Sequence, residues 1–252
     1  MNSKPIVPLL LIGVAGLFAG QAGAVELLTN GNFETGTFTG WTNTAQAGSN
    51  SSGFFASTPG AATPSSAFPT AGNAAGGTTY AVSDQTGPGA YALTQSFIVP
   101  IGSTSVTLSF DMFVNDQSGS GPVVDPTGLD FTTGGINNSN QHARVDILTG
   151  TSTALSTAAA DIVANLYLGV DGGVTPNPYT SYNIDITSLV TPGTTYQIRF
   201  AEVDNLGQLN QGIDNVSIDA SSSVAGVPEP GTLALIGLGL AGIGFARRKK
   251  QA

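Results

Sequence analysis

Between Ser105 and Val114 the chain reads SVTLSFDMFV, and this alternation constrains its fold more than any other feature. Val106, Leu108, Phe110 and Met112 fall on one face, and Thr107, Ser109, Asp111 and Phe113 on the other. A period of two is the pattern of a half-buried β-strand, with successive side chains pointing to opposite faces. The pattern recurs at Tyr80–Ser83, Ala90–Val99, Ala143–Leu148, Tyr182–Ile186, Thr195–Val203 and Ile213–Ile218. Between these runs, 34 Gly and 14 Pro, with many Ser, Thr and Asn, cut the chain too often for long helices. Many short strands separated by turns predict an all-β antiparallel β-sandwich or barrel. Only Ala154–Leu168, around Ala158-Ala159-Ala160, has mixed, helix-like spacing. Ala45–Gly77 and Asn115–Asn140 read as long loops, the second carrying Asp116, Asp125 and Asp130.

Charge narrows the function classes. From Val25 to Gly226 there are 15 acidic residues and two basic ones, Arg144 and Arg199, a formal charge of −13. Such a surface repels phosphate backbones, so nucleic acid is excluded as a partner. The absence of Cys removes disulfides, thiolate catalysis and Cys-ligated zinc. The single His, His142, has no recognisable nucleophile or orienting group around it. At a strand start, it is expected to bond a neighbouring strand or nearby Asp146. Arg144 and Arg199 alternate with apolar neighbours and are expected to pair with surface carboxylates. Acidic residues are too evenly spread for a glycosidase pair to stand out. The T-x-T triplets (37–39, 42–44, 151–153) are too scattered for the regular ladder that ice binding needs.

The two ends are apolar. Lys4, the run Ile6–Ala19 and the small-x-small site Ala22-Gly23-Ala24 have the build of a secretory signal peptide over residues 1–24. Signal peptidase is therefore an expected partner, and Val25 the first mature residue. At the far end, residues 221–226 form a flexible spacer, and Val227-Pro228-Glu229-Pro230 precedes GTLALIGLGLAGIGFA (231–246), which carries no charge. A comfortable bilayer span takes about 20 apolar residues, with a lower limit near 17. This one is short and Gly-rich. Arg247-Arg248-Lys249-Lys250 orients such a transmembrane helix with its tail in the cytoplasm.

Residues 227–252 resemble the PEP-CTERM sorting signal of Gram-negative bacteria, in which a Pro-Glu-Pro motif precedes a short span and a basic tail. The resemblance implies a transient anchor in the inner membrane, with the domain in the periplasm. Exosortase would then recognise Pro228, Glu229 and Pro230 and release the chain to the cell surface or beyond. Two prolines keep that triplet out of helix, as a protease cleft requires.

The domain's own ends, ELLTNGNFETGTFTGWT (26–42) and GIDNVSID (212–219), resemble those of galactose-binding-like jelly rolls. The likeness is to the carbohydrate-binding modules of families four, nine and twenty-two. There an N-G-x-F-E segment on the first strand meets a D-[DN]-V segment on the last in one sheet. The resemblance implies a jelly-roll domain over 25–220 and a structural Ca²⁺ held by Glu34 and Asp214. Carboxylates with turn carbonyls suit that hard ion. It also implies a non-enzymatic protein that binds, or is embedded in, the exopolysaccharide of a biofilm or floc. A structural matrix protein without a specific ligand is the alternative, and a polysaccharide hydrolase a more distant one. Glycan-binding residues stay unassigned. Trp41, Tyr80, Tyr91, Tyr167, Tyr179 and Tyr182 are the available platforms, with Trp41 expected in the core.

Overall fold

The computed structural model describes residues 23–72, 76–124, 128–134 and 139–222. Eleven strands run through these residues: β1 (Ala24–Glu26), β2 (Thr42–Ala45), β3 (Phe54–Ser57), β4 (Tyr80–Ser83), β5 (Gly89–Ile98) and β6 (Ser103–Asp116), then β7 (Gln141–Thr149), β8 (Ile162–Gly169), β9 (Thr180–Asp185), β10 (Thr195–Asp204) and β11 (Leu209–Ser222). They form two antiparallel sheets. Sheet A has the order β3-β4-β11-β6-β9, with β1 also on β11, and sheet B the order β2-β5-β10-β7-β8. Only β3–β4 and β7–β8 follow each other within one sheet; every other consecutive pair of strands crosses between the sheets, as in a jelly-roll sandwich.

The alternation seen in the sequence sets the layers. Val106, Leu108, Phe110 and Met112 of β6 face Leu93, Phe97, Val145, Ile147, Ile198 and Phe200 of sheet B across the main core. Trp41 lies in that core, 5.5 Å from the Phe33 ring. Both outward faces are also partly covered. Ala90, Ala92, Ala201 and Val203 on the back of sheet B pack under Leu129, Phe131, Ala154 and Leu155. Tyr80, Val82 and Phe113 on the back of sheet A pack with Phe55, Ala71 and Tyr179. Buried on both faces, β10 therefore lacks an exposed polar side over its last seven residues.

Two expectations change. Ala154–Leu168 is no helix: Ser152–Asp161 runs as turns and Ile162–Gly169 as β8, because the segment's start wraps the back of sheet B rather than packing a helical stripe. The stretch 45–77 holds β3, which pairs with β4 along Phe54–Ser57. β1 lies on β11 with Ala24 opposite Ser221 and Val25, 55% exposed, opposite Ala220. Leader residues 1–22, spacer residues 223–226, the Pro228-Glu229-Pro230 triplet and the apolar stretch 231–246 lie outside the described residues, whereas Ser221 and Ser222, expected in the flexible spacer, are the end of β11 because Ser221 pairs with Ala24. No helix among the described residues is long and apolar enough to cross a membrane.

Candidate functional site

The first loop and the last strand meet where the sequence motifs place them. Val216 N donates to Gly31 O at 2.9 Å, so closely that a Cβ on Gly31 would stand 1.8 Å from the Val216 carbonyl oxygen. Asn30, Phe33 and Asn215 hold φ of 54°, 53° and 52°, a left-handed conformation that costs free energy in non-glycine residues and persists where surroundings fix it. Here the surroundings are specific. Asn30 Nδ2 donates to Thr37 O at 2.8 Å, Trp41 Nε1 donates to Asn30 O at 3.1 Å, and the register of β11 on β6 slips between Asp214 and Ser217.

Glu34 and Asp214 come to this seam in different states. Glu34 accepts hydrogen bonds from Thr79 N at 2.9 Å, Thr78 N at 2.7 Å and Thr78 Oγ1 at 2.9 Å, which hold its carboxyl below the ordinary value. Asp214 is 2% exposed and sits directly opposite Asp111 on the back of sheet A. Burial, reinforced by the charges of Asp111 and Glu34, pushes Asp214 up to about 7. Asp111 accepts from Asn215 Nδ2 at 2.8 Å and from Ser181 Oγ. Beside the pair, the buried Tyr179 hydroxyl has no hydrogen-bond partner among the described residues.

Two adjacent buried carboxylates repel each other, and Arg144 and Arg199 lie elsewhere. All three hydrogen bonds to Glu34 are already made. Among the described residues no group of three or more His, Asp and Glu side chains converges closely enough to hold a metal ion. A calcium ion here would draw on Asp214, Asp111 and main-chain carbonyls, with Glu34 contributing beside its present donors. Asp111 is absent from the sequence expectation. Its alternation on β6 was legible, but its position opposite Asp214 depends on which strands pair.

The two arginines are a correction. They were expected on the surface, yet both are buried on the back of sheet B, where Asp146 lies between them. Arg144 reaches Asp146 through Nε at 2.7 Å and Nη2 at 2.8 Å, and Arg199 through Nη2 at 2.7 Å and Nε at 3.0 Å. Arg199 Nη1 also donates to Ala154 O at 2.9 Å and Ser156 O at 2.6 Å, pinning the covering segment. Burial opposes ionisation of Asp146. The hydrogen bonds from Arg144, the charges of Arg199 and Arg144 and the Asn165 amide outweigh it and hold the carboxyl below its ordinary value. His142 is buried opposite Val203, and the bonds made to Asp146 come from Arg144, Arg199 and Asn165. Asp116 closes a turn of its own loop, accepting from Ser118, Gly119 and Gly121, while Asp130 accepts from Thr132 and, across to the segment after β2, from Gln46 Nε2 at 2.6 Å; Asp125 lies outside the described residues.

Of the aromatic candidates, Tyr80 and Tyr91 are fully buried and Tyr182 stacks on Phe110 at 4.6 Å. Tyr167 lines an open groove of about 390 Å³ with Leu168, Asp171, Asn177, Pro178 and Thr180, where β8 gives way to the loop entering β9. Its hydroxyl donates to Asp171 Oδ1 at 2.8 Å, while Val114 N donates to Asp171 Oδ2 at 2.6 Å. Burial and that hydrogen bond push the Tyr167 hydroxyl up, so it stays a neutral donor.

Residues 226–250 match the PEP-CTERM protein-sorting motif. The motif is a signal for export and membrane-anchored sorting to the cell surface in Gram-negative bacteria. No curated protein matches the sequence. Structures similar to this chain include the carbohydrate-binding module TmCBM61 in complex with beta-1,4-galactotriose, at 13% identity and a TM-score of 0.46, covering 77% of this chain and 97% of that one. CBM28, a carbohydrate-binding module specific for non-crystalline cellulose, is similar at 12% identity and a TM-score of 0.41, over 78% of this chain and 96% of that one. The enzymatically active domain of tailspike protein 4 from bacteriophage CBA120 is similar at 16% and 0.43, over 77% of this chain and 21% of that one. At these identities and TM-scores the likeness carries neither a ligand nor a function with it.

Proposed function

We propose that this is a non-enzymatic exported protein whose β-sandwich binds polysaccharide outside the cell, in the exopolysaccharide of a biofilm or floc. Signal peptidase cuts after Ala24, the segment 231–246 anchors the chain in the inner membrane with the domain in the periplasm, and exosortase releases it near Pro228-Glu229-Pro230. The observation that carries the sugar reading is the Tyr167 groove. It sets an aromatic ring and the Leu168 side chain beside a carboxylate, an amide and a hydroxyl, the combination that recognises a sugar ring and its hydroxyls. A Ca²⁺ ion between Glu34 and Asp214 would neutralise the seam and tie the first loop to the last strand. The hydrolase reading gains little support from the Asp111–Asp214 pair, because both side chains are at least nine-tenths covered.

Affinity electrophoresis of the purified chain through gels containing bacterial exopolysaccharides tests the sugar reading. Retardation by one glycan, lost in Leu168→Asp and weakened in Tyr167→Phe, is the expected result. Migration unchanged by every glycan would instead favour a matrix protein without a specific ligand. Thermal unfolding with calcium and with chelator tests the seam, where the midpoint shift should vanish in Asp214→Ala and shrink in Glu34→Ala.

A further inference from the structure

The space between the sheets is not apolar along its whole length. The inward residues of β10 run Tyr196, Ile198, Phe200, and the same alternation then places Glu202 and Asp204 inside, both fully buried. Register fixes their surroundings: Glu202 lies opposite Tyr91 and Ala143, and Asp204 opposite Gln141. Sheet A contributes Ser83 and Gln211, and the segment after β4 contributes Gln85. Gln211 N donates to Ser83 Oγ at 2.8 Å, Gln211 Nε2 reaches across to Arg144 O at 3.5 Å, and Gln85 Nε2 approaches Asp204 Oδ2 at 3.5 Å.

This compartment has more acceptors than donors. Both carboxylate oxygens of Glu202, the Oε1 of Gln85 and the Oε1 of Gln211 are buried without a well-formed hydrogen bond among the described residues, Ser83 and Gln85 being the polar side chains that approach Glu202. Asp204 Oδ1 accepts from Leu206 N at 2.8 Å and Gly207 N at 3.1 Å, leaving Oδ2 with only the long contact to Gln85. Orphaned buried acceptors are costly and rare in native proteins, and each calls for a partner. No basic side chain supplies one. Between Lys4 and Arg247 the only Lys or Arg residues are Arg144 and Arg199, both held by Asp146 on the other face of sheet B, and His142 lies opposite Val203 on that same face.

We propose that this inter-sheet compartment binds one calcium ion through Glu202, Asp204, Gln85 and Gln211. A set made only of carboxylate and amide oxygens selects a hard cation over zinc or copper, and two carboxylates match a divalent charge. Calcium accepts six to eight oxygens in irregular geometry, whereas magnesium demands a near-ideal octahedron and keeps its waters. The ion is enclosed as the sheets close, so it exchanges slowly from the folded protein. This interior site is separate from the seam at Asp214, which lies on the outward face of sheet A.

The test uses the full chain, purified in mild detergent with calcium and then passed into EDTA without unfolding. Metal analysis should find one calcium per chain that persists in Asp214→Asn, is released on unfolding and is missing from Glu202→Gln. At a hundredfold excess over Kd, calcium should raise the Tm of the wild type and of Asp214→Asn by about 5–10 °C, but not that of Glu202→Gln. Wild-type protein without retained calcium overturns the proposal, and so does full retention by Glu202→Gln. Glu202 would then be a buried neutral acid, and Glu202→Gln would melt like the wild type. If Glu202→Gln does not fold, Asp204→Asn is read in the same way, and the wild-type metal content decides without any variant.

Discussion

On the back of sheet B, Asp146 lies between two guanidinium groups; on the back of sheet A, Asp214 faces another carboxylate, with both arginines held elsewhere. Both aspartates are buried, and both lie on an outward sheet face beneath other segments of the chain. The difference is one of supply. A stretch with 15 acids and two bases can compensate one buried carboxylate fully, and here it spends both bases on Asp146. Every other buried carboxylate has to rely on hydrogen bonds, a proton or a cation. Asp84 takes the first course, accepting from Ser65 N, Ser66 N and Oγ, and Asn210 Nδ2. Asp214 and Asp204 accept main-chain hydrogen bonds from Asn215 and from Leu206 and Gly207, but these do not offset burial, and with Glu202 their carboxyls are pushed up.

The largest expected effect comes from breaking the compensated side. Asp146→Ala leaves two buried guanidinium groups without a counter-ion, a loss of about 3–5 kcal/mol. Urea unfolding of the variant should show it, together with faster amide exchange across residues 150–161, which Arg199 holds through Ala154 and Ser156. A variant that unfolds within about 1 kcal/mol of the wild type would mean that the triad contributes no more than a surface pair. Gly31→Ala attacks the other side. A Cβ there meets a main-chain oxygen that cannot rotate away, so the first loop must lift off β11, at a cost of about 1–3 kcal/mol. An unchanged midpoint would show that the loop is not bound to the bulge.

The pH dependence sharpens the contrast, because the two faces have opposite signs. Asp146, held below its ordinary value, stabilises the fold at neutral pH and loses that contribution as pH falls through its folded pKa. Asp214 and Asp204, raised to about 7 and about 6, bind protons more tightly folded than unfolded. Their contribution is complete below the unfolded value near 3.9 and is lost as pH rises through the interval up to about 7. Without calcium the chain should therefore melt at higher temperature at pH 5 than at pH 8. Asp214→Asn should flatten that slope, and calorimetry across the range, on chain freed of calcium by unfolding and refolding in EDTA, measures it. A slope that Asp214→Asn leaves untouched would assign the effect to Glu202 and Asp204 instead.

Much of this was legible in the alternation of single strands. β5, β6, β10 and β11 could be read from their period of two, and the meeting of Asn30–Glu34 with Asp214–Val216 from their likeness to the ends of a known jelly roll. β2 and β3 were missed because four-residue strands among Gly, Ala and Ser are too short to show a period. Arg144 and Arg199 were placed on the correct face of their strands but assigned to solvent. A strand's sequence distinguishes its two faces, whereas the covering of the outer one by residues 129–131 and 154–155 depends on distant segments. Glu202 and Asp204 share the parity of Ile198 and Phe200, so the alternation of IRFAEVD by itself turns an acid inward. That this acid stays uncompensated depends on where both bases lie, which no single strand encodes.

The smallest expected effect concerns Glu34, the exposed member of the seam. Its charge raises Asp214, so Glu34→Gln should lower the Asp214 pKa and move the pH midpoint of stability toward acid. Because its carboxylate accepts from Thr78 and Thr79, the same variant should speed amide exchange at those two residues while leaving β11 unchanged. NMR titration of the aspartate side chains, run with and without calcium, reads both effects. If calcium bridges Glu34 and Asp214, the variant also weakens its binding, and the Asp214 resonance responds to calcium only at higher concentration. If the Asp214 resonance stays unchanged at every calcium concentration, Glu34 is a clamp on the 76–79 loop and the seam holds no ion.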